Sequence, residues 1–451
     1  MIFTDQQLCA ATGGRLLRPG PAGAITTDTR SLSPGDWFVA LVGERFDGHE
    51  LLPQALAAGC AGVIACRAPA DWPAGFVQVS DTTEALQGIG AAARDRFEGP
   101  VVAITGSAGK TTTRALTALV LGALGPVHQN AGNLNSQVGV PLTLLAAPPE
   151  AAAWVIEMGM DRFGQIHRLQ ALTRPQVRLI TNVGAAHLEG VGSLEGVARA
   201  KGELFAAARP GDTCCVNLDD PYIAALPLPE GVRRIGFGRH PSAEVHLAAL
   251  RVDPQTLDTH LRLVTPAGTL EASVPSPGAH IAQDAAAAVA AGLALGLPLA
   301  PMAAALSAYA PVGMRQRIEA GPLGTRLIND AYNANPTSTA AALHTLALVE
   351  GARRVALLGD MRELGPAEEE GHDAMLALAD SLRLDLIGLA GPCFAAAAAR
   401  RPTANTLVAA DALALGALLR DQLHPGDVVL LKGSRGTAME RVLTALSAKE
   451  P

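Results

Sequence analysis

Apolar residues in this chain cluster into short continuous runs. VVAIT (101–105), WVIEM (154–158), VRLITN (177–182) and TCCVNL (213–218) are predominantly apolar and are separated by helix-compatible stretches. A strand covered on both faces reads as such a run, so these predict a parallel sheet sandwiched between helices. From about residue 244 to 275 the pattern changes to alternation in VHLAALRV, THLRLVT and TLEASV, which predicts an antiparallel appendix. Beyond Gly313, the runs TRLIND (325–330), RRVALLGD (353–360), LDLIGLA (384–390) and DVVLLKGS (427–434) again alternate with helices. Ahead of Gly99-Pro100, DWFVALVG (36–43) and GVIAC (62–66) are strand-like and joined by alanine-rich helices. The expected fold class is therefore α/β with three domains. Residues 1–98 form a smaller N-terminal α/β domain. Residues 99–312 form a central P-loop-type parallel-sheet domain with the small antiparallel appendix. Residues 313–451 form a C-terminal Rossmann-like domain. Each strand of the last domain ends in polar or glycine residues, and ligands of open α/β sheets bind at those carboxyl ends.

Two stretches test this outline. Thr4 with Gln7 makes a capping box, with Gly13 as the helix stop. Ala285–Tyr309 carries no charge and is long enough to span a bilayer. It is mostly alanine, however, and Gly296, Pro298 and Pro301 interrupt it, so two short buried helices joined by a turn are expected and no membrane insertion.

Composition narrows the class. At 451 residues the chain exceeds one ordinary core. Hydrophobic residues make up 49% and charged residues 17%, as in a folded enzyme rather than a disordered chain. A net charge of −7 argues against a nucleic-acid partner, and 3% aromatics against a base-stacking platform. Six scattered cysteines form no paired CxxC motif, so neither a zinc site nor a disulfide framework is expected. A reducing, cytoplasmic compartment fits. The start MIFTDQQLCAATGG lacks a basic n-region and carries Asp5, unlike a signal peptide.

The candidate chemistry begins at VVAITGSAGKTTTRAL. The usual phosphate-loop pattern places a glycine five positions before Gly109, where this chain has Ile104. What remains is Thr105, Gly106, Ser107, Ala108, Gly109, Lys110, Thr111 and Thr112, between a predicted strand and a helix running to about Gly125. The glycines let backbone N–H groups turn toward a phosphate, and the helix N-terminus adds its dipole. Lys110 would neutralise β- and γ-phosphates, and the Thr111 hydroxyl would serve Mg²⁺. Further candidates close the following strands. Glu157 is an acid in an apolar strand, where a buried ion pair is the plainer reading. His187 lies in the glycine-rich TNVGAAHLEGVGS, and Lys201 in ARAKGELF, both otherwise read as solvated. NDAYNANP (329–336) holds Asp330, Tyr332, Asn333 and Asn335, of which an Asn-Pro turn explains only the last. GDMRELG (359–365) and KGSRGTAMERV (432–442) follow, with Lys432 and Arg435 as possible anion holders.

Together these motifs resemble the Mur ligase family of peptidoglycan synthesis over nearly the whole chain. TGSAGKTTT is similar to that family's ATP loop, which lacks the first glycine. NLNSQVGVPLTLL, IEMGM, TNVGAAHLE, DAYNANP, GDMRELG and DVVLLKGSRGTAME resemble the branch that adds a dipeptide, and TDTRSLSPGDWFVALVGERFDGHE resembles a UDP-binding domain. The resemblance implies ATP-driven ligation of D-alanyl-D-alanine to UDP-N-acetylmuramoyl-tripeptide through an acyl phosphate. It implies Lys110, Glu157, His187 and Lys201 as catalytic, with residues 105–112, His280, Asp284, Arg315 and Asp330 on ATP. Two Mg²⁺ ions are implied, with Thr111, Glu157, His187 and a carbamylated Lys201 as ligands. Arg30, Arg45 and Asp47 are implied for the UDP-sugar, and Asn133, Asn135, Asn333 and Ser434 for the peptide ends. A monomer is expected. Asp284, Asn329 and Ala331 depart from the family's usual Asn, Asp and Ser. The competing readings are another amide ligase on this scaffold, such as a folylpolyglutamate synthase, and a P-loop switch that hydrolyses ATP without an amine acceptor.

Overall fold

The computed structural model describes residues 1–44, 46–349 and 352–447. They form two compact units: Met1–Ala103 with Leu124–Gly159 and Gln165–Gln176, and Ile104–Ala123 with Met160–Gly164 and Val177–Pro451.

The first unit contains a five-stranded sheet in the order Arg15–Arg18, Gly75–Gln78, Gly62–Ala65, Trp37–Val39, Ile25–Thr26. Only the Arg15–Arg18 edge strand is antiparallel to its neighbour. The predicted strand DWFVALVG breaks after Val39. Ala40 still donates its N–H to Ile64, but Val42–Gly43 turns away to pair with Phe46–Asp47. The opening helix Asp5–Thr12 has the expected Thr4/Gln7 capping box, and Gly13 closes it in the left-handed conformation at φ 64°. The helix Thr82–Asp95 is capped by Asp81 and packs against Gly139–Leu145. Two strands, Val127–Gln129 and Ala153–Glu157, run parallel and carry Glu157 at their carboxyl end.

In the second unit, six strands lie in the order Gly268–Val274, Thr259–Thr265, Val245–Val252, Arg233–Gly238, Thr213–Asn217, Val177–Ile180. The last four are mutually parallel, and the first three form the expected antiparallel appendix. The uncharged stretch near 285–309 is two helices, Ala279–Ala294 and Leu299–Leu306, with Gly296 turning at φ 74° between them. No helix among the described residues is long and apolar enough to cross a membrane. The C-terminal part has its own six-stranded sheet, ordered Arg317–Ala320, Arg326–Asp330, Val428–Lys432, Arg354–Gly359, Leu386–Ala390, Thr406–Ala409. It is parallel except for its first strand. Apolar clusters lie on both of its faces, one built around Leu343, Leu358 and Phe394, the other around Leu357, Leu415 and Met439. Burial on both sides is why these strands carry unbroken apolar runs.

Candidate active site

The phosphate loop leaves the buried strand Val101–Thr105 and enters the helix Lys110–Leu121. Its shape is imposed from the neighbouring strand end. Thr181 donates its N–H to the Thr105 carbonyl and its hydroxyl to the Ala108 carbonyl at 2.6 Å. Asn182 accepts the Ser107 N–H on its backbone and the Ala108 N–H on its side chain, while Ser107 Oγ exchanges hydrogen bonds with Gly184. Two of the loop's N–H groups are therefore spent on bracing it, and the helix N-terminus is the part left to meet an anion. Gly109 caps that helix at φ 78°, the left-handed region glycine enters without strain. The Lys110 ammonium reaches back to the Gly106 carbonyl at 2.7 Å. The α-helix ends at Leu121 and tightens into a 3₁₀ turn through Leu124, so the predicted stop near Gly125 stands.

Glu157 belongs to the first unit and is 2% exposed. The Asn135 side-chain amide donates to its carboxylate at 2.7 Å, and Asn130 bonds both its N–H and its carbonyl. Asn135 is thereby brought to Glu157, while Asn133 is exposed and its carbonyl accepts the Asn135 N–H.

In the second unit, Lys201 is 1% exposed on the helix Leu194–Ala206, which overturns the solvated reading. Burial first, and then the nearby Lys110 cation, push its amine well below the ordinary lysine range. His187 holds a left-handed backbone at φ 57° and pairs through Nδ1 with Glu363 of GDMRELG at 2.9 Å. That pair holds the Glu363 carboxyl below its usual range.

The C-terminal motifs converge. Asn335 caps the helix Pro336–Ala347, making a capping box with Ser338, so the Asn-Pro reading is right as far as it goes. Its amide also donates to the Ser107 carbonyl of the phosphate loop at 3.4 Å. Lys432 is buried and bonds the Asp330 carboxylate at 2.7 Å and the Asn333 carbonyl at 3.0 Å, which ends the solvated reading for it. Ser434 donates to the Ala334 carbonyl and accepts the Arg362 N–H, tying three motifs together. Arg315 stacks over Tyr332 at 4.1 Å. His280 is held below its ordinary range by burial, with Asp330 pulling the other way. Arg435 is exposed and paired with Glu440 instead. Of the departures, Asn329 is buried and donates to Glu319, and Ala331 is fully buried. Asp284, implied on ATP, lies against Gly109, beneath the loop.

For the UDP-sugar candidates, Arg30 is 89% exposed and bonds Asp28, whereas Asp47 bonds His49 and Arg67. Arg45 lies outside the described residues. Sequence reading missed Thr181, Asn182, Tyr309 and Glu363, whose partners are remote along the chain so that no local spacing signals them, and also His49, whose partner Asp47 is only two residues away. One further group, Asp360, His372 and Cys393, lies close enough to suggest a metal. Its donors are already used: Met361 N–H bonds His372 Nε2, Nδ1 bonds the Glu368 carbonyl, and Asp360 caps Cys393 and Phe394. Burial also pushes the Cys393 thiol up to about 12, far from a thiolate ligand.

Comparison with known proteins adds to this geometry. Residues 104–292 match the Mur ligase middle domain, and residues 314–435 the Mur ligase glutamate ligase domain. A UDP-N-acetylmuramoyl-tripeptide–D-alanyl-D-alanine ligase of Escherichia coli (strain K12) is 37% identical over 425 residues, covering 94% of this chain and 93% of that one. Its namesake in Bacillus subtilis (strain 168) is 33% identical over 429 residues, covering 94% and 92%. The fold is similar to a crystal structure of MurF from Acinetobacter baumannii, at TM-score 0.92 and 32% identity over 99% of both chains. It is also similar to MurF ligase from Thermotoga maritima in complex with ADP, at TM-score 0.84 and 25% identity, covering 94% and 97%.

Proposed function

The chain belongs to the Mur ligase family, and on that premise we propose that it joins D-alanyl-D-alanine to UDP-N-acetylmuramoyl-tripeptide, consuming ATP, in peptidoglycan precursor synthesis. The observation that carries this reading is the phosphate loop bonded at Ser107 by Asn335 of the YNANP motif. A nucleotide loop and a motif of the dipeptide-adding branch are in direct contact there.

The chemistry follows from charge. The tripeptide's terminal carboxylate attacks the γ-phosphorus of ATP, the bond to ADP breaks, and an acyl phosphate forms. The amine of D-alanyl-D-alanine then adds to the acyl carbon. The tetrahedral intermediate expels phosphate, and the amine proton is lost. A carboxylate and a triphosphate repel one another, so cations must screen them and hold them in line. We assign Lys110 to the β- and γ-phosphates, residues 105–112 to the phosphate cradle, and His280, Arg315 and Asp330 to the rest of the nucleotide. Lys432, by pairing with Asp330, fixes that carboxylate's orientation.

The donor set suits a hard cation. Thr111 and Glu157 offer buried oxygen donors, and His187 an imidazole. The buried, neutral-favouring amine of Lys201 can add CO₂ to give a carbamate and a proton, turning a cation into an oxygen ligand. On the family resemblance we propose Thr111, Glu157, His187 and carbamylated Lys201 as magnesium ligands, for two ions, whose chemistry when bound would be to neutralise phosphate charge. Arg30, Arg45 and Asp47 are assigned to the UDP-sugar, and Asn133, Asn135, Asn333 and Ser434 to the peptide ends. We further propose domains 1–98, 99–312 and 313–451, and a cytoplasmic monomer.

The test is a phosphate-release assay with ATP and each acceptor in turn. Release is expected only when both UDP-N-acetylmuramoyl-tripeptide and D-alanyl-D-alanine are present. Equal release with neither would replace the ligase with an ATP-hydrolysing switch.

A further inference from the structure

Beneath the phosphate loop lies a carboxyl group that the ligation chemistry does not use. Asp284 sits one turn into the helix Ala279–Ala294, which packs along the loop helix Lys110–Leu121. Its side chain is buried, and its Oδ1 accepts the Thr113 hydroxyl at 2.9 Å. Its Oδ2 is also buried and, among the described residues, has no hydrogen-bond partner. The carboxyl abuts the corner where the loop becomes helix: a Cβ placed on Gly109 would lie 2.6 Å from Oδ1 and 3.2 Å from Oδ2. An anion-binding helix N-terminus thus has an acid directly below it.

Those two features are compatible in only one protonation state. An ionised carboxylate there would draw on the same dipole and N–H field that the loop offers to phosphate, and its charge would repel the nucleotide at short range. A neutral carboxyl does neither, and its O–H becomes a donor instead of an acceptor. We propose that Asp284 is a positioning residue that sets the loop's grip on nucleotide: protonated, it leaves the helix N-terminus free for phosphate, and deprotonated, it competes with phosphate and weakens binding.

The surroundings support a neutral state near pH 7. Burial pushes the Asp284 carboxyl up to about 8, and only the Thr113 hydroxyl pulls the other way. The helices packed against this one carry Lys110 and Arg114 on the loop helix and His344 on Pro336–Ala347, with His280 on its own helix, and Tyr309 feels the Asp284 charge. None of them lowers it. Tyr309, whose phenol bonds Thr112, is pushed up to about 12 and stays neutral throughout. The sign is then fixed. The carboxyl's folded value lies above its unfolded one, so the proton is held below pH 8 and lost above it. Nucleotide affinity should fall as pH rises through that point, by about tenfold between pH 7 and 9 for one proton.

This inference rests on the reading of residues 105–112 as the nucleotide cradle, and the experiment separates the two. ADP dissociation constants are measured by calorimetry between pH 7 and 9.5, above the titration of the nucleotide's own phosphates. Lys201 is the same in every variant, so whatever it contributes cancels in the comparison. The full-length native protein should lose affinity about tenfold from pH 7 to 9, whereas Asp284→Asn, which keeps the shape and cannot ionise, should stay flat. Thr113→Val, which removes the hydroxyl that favours ionisation, should move the midpoint to higher pH and serves if the first variant fails to fold. A flat native profile, or equal loss in native and Asp284→Asn proteins, would overturn the proposal. If Lys110→Ala leaves ADP affinity intact at pH 7, the cradle itself is misassigned.

Discussion

A lysine flanked by Ala200 and Gly202 in the middle of a helix would ordinarily reach water along its own stem. Lys201 does not, being 1% exposed with Lys110 as its charged neighbour. A buried ammonium beside a second cation is costly, so this position favours the neutral amine, the form that the proposed carbamylation requires. Lys201→Ala should reduce ligation on the order of 10²–10³-fold or more, with circular dichroism and the melting transition showing a retained fold. Lys201→Arg should be equally inactive, since a guanidinium forms no carbamate. Acetate or another small carboxylate should partly restore the alanine variant by occupying the vacated carboxylate position. Near-normal turnover of Lys201→Arg would return this residue to a packing role.

At the scale of the element, the loop helix sets two glycines in opposite situations. Gly109 has φ 78° and faces Asp284, whereas Gly122 has φ −55° and open space where a Cβ would be. Gly109→Ala should therefore cost about 1–3 kcal/mol of stability from the strained backbone and the clash. Gly122→Ala should be neutral or gain about 0.4–1 kcal/mol by restricting the unfolded chain. Denaturant titration of both variants checks this, and a similar loss in the two would mean the glycines are spared for another reason. The same helix shows what a sequence discloses. Its start and stop were legible because capping and strand–loop–helix order are local signals, and the buried parallel strands because burial on both faces leaves unbroken apolar runs. Short edge strands such as Arg15–Arg18 and Thr406–Ala409 escaped notice, because exposed positions erase that pattern. The strand through DWFVALVG was read too long, since apolar content continues past the point where its hydrogen bonds switch partners. The loop's braces escaped for a different reason. Thr181 and Asn182 act on Ala108 across more than seventy residues, and only the folded chain brings them together. Asp284 did leave a trace, as one acid in a run of alanines, but its place beneath Gly109 was not foreseeable.

For the whole molecule, the decisive feature is that the second unit gathers nucleotide candidates from segments far apart in sequence. The loop at 105–112 is bonded to Asn335, and the same C-terminal segment carries Asp330, locked by Lys432 from an adjacent strand. A single nucleotide held by both segments would couple their opening, because neither could swing out without losing contacts to the shared ligand. Binding energy spread this way appears as slowed local unfolding in every segment that contributes. Hydrogen exchange with and without saturating ADP should therefore show protection at residues 105–113 and, to a comparable degree, at residues 326–335 and 428–434. The strand Thr406–Ala409, at the far edge of the C-terminal sheet, should change little and serves as the internal reference. Asp330→Ala should remove the C-terminal protection while leaving that of the loop largely in place, since Lys110 and the helix N-terminus are untouched. Protection confined to the loop in the native protein would mean that the C-terminal segment contacts the peptide acceptor alone. Asp330 and Arg315 would then have to be withdrawn from the nucleotide and reassigned to the acceptor side.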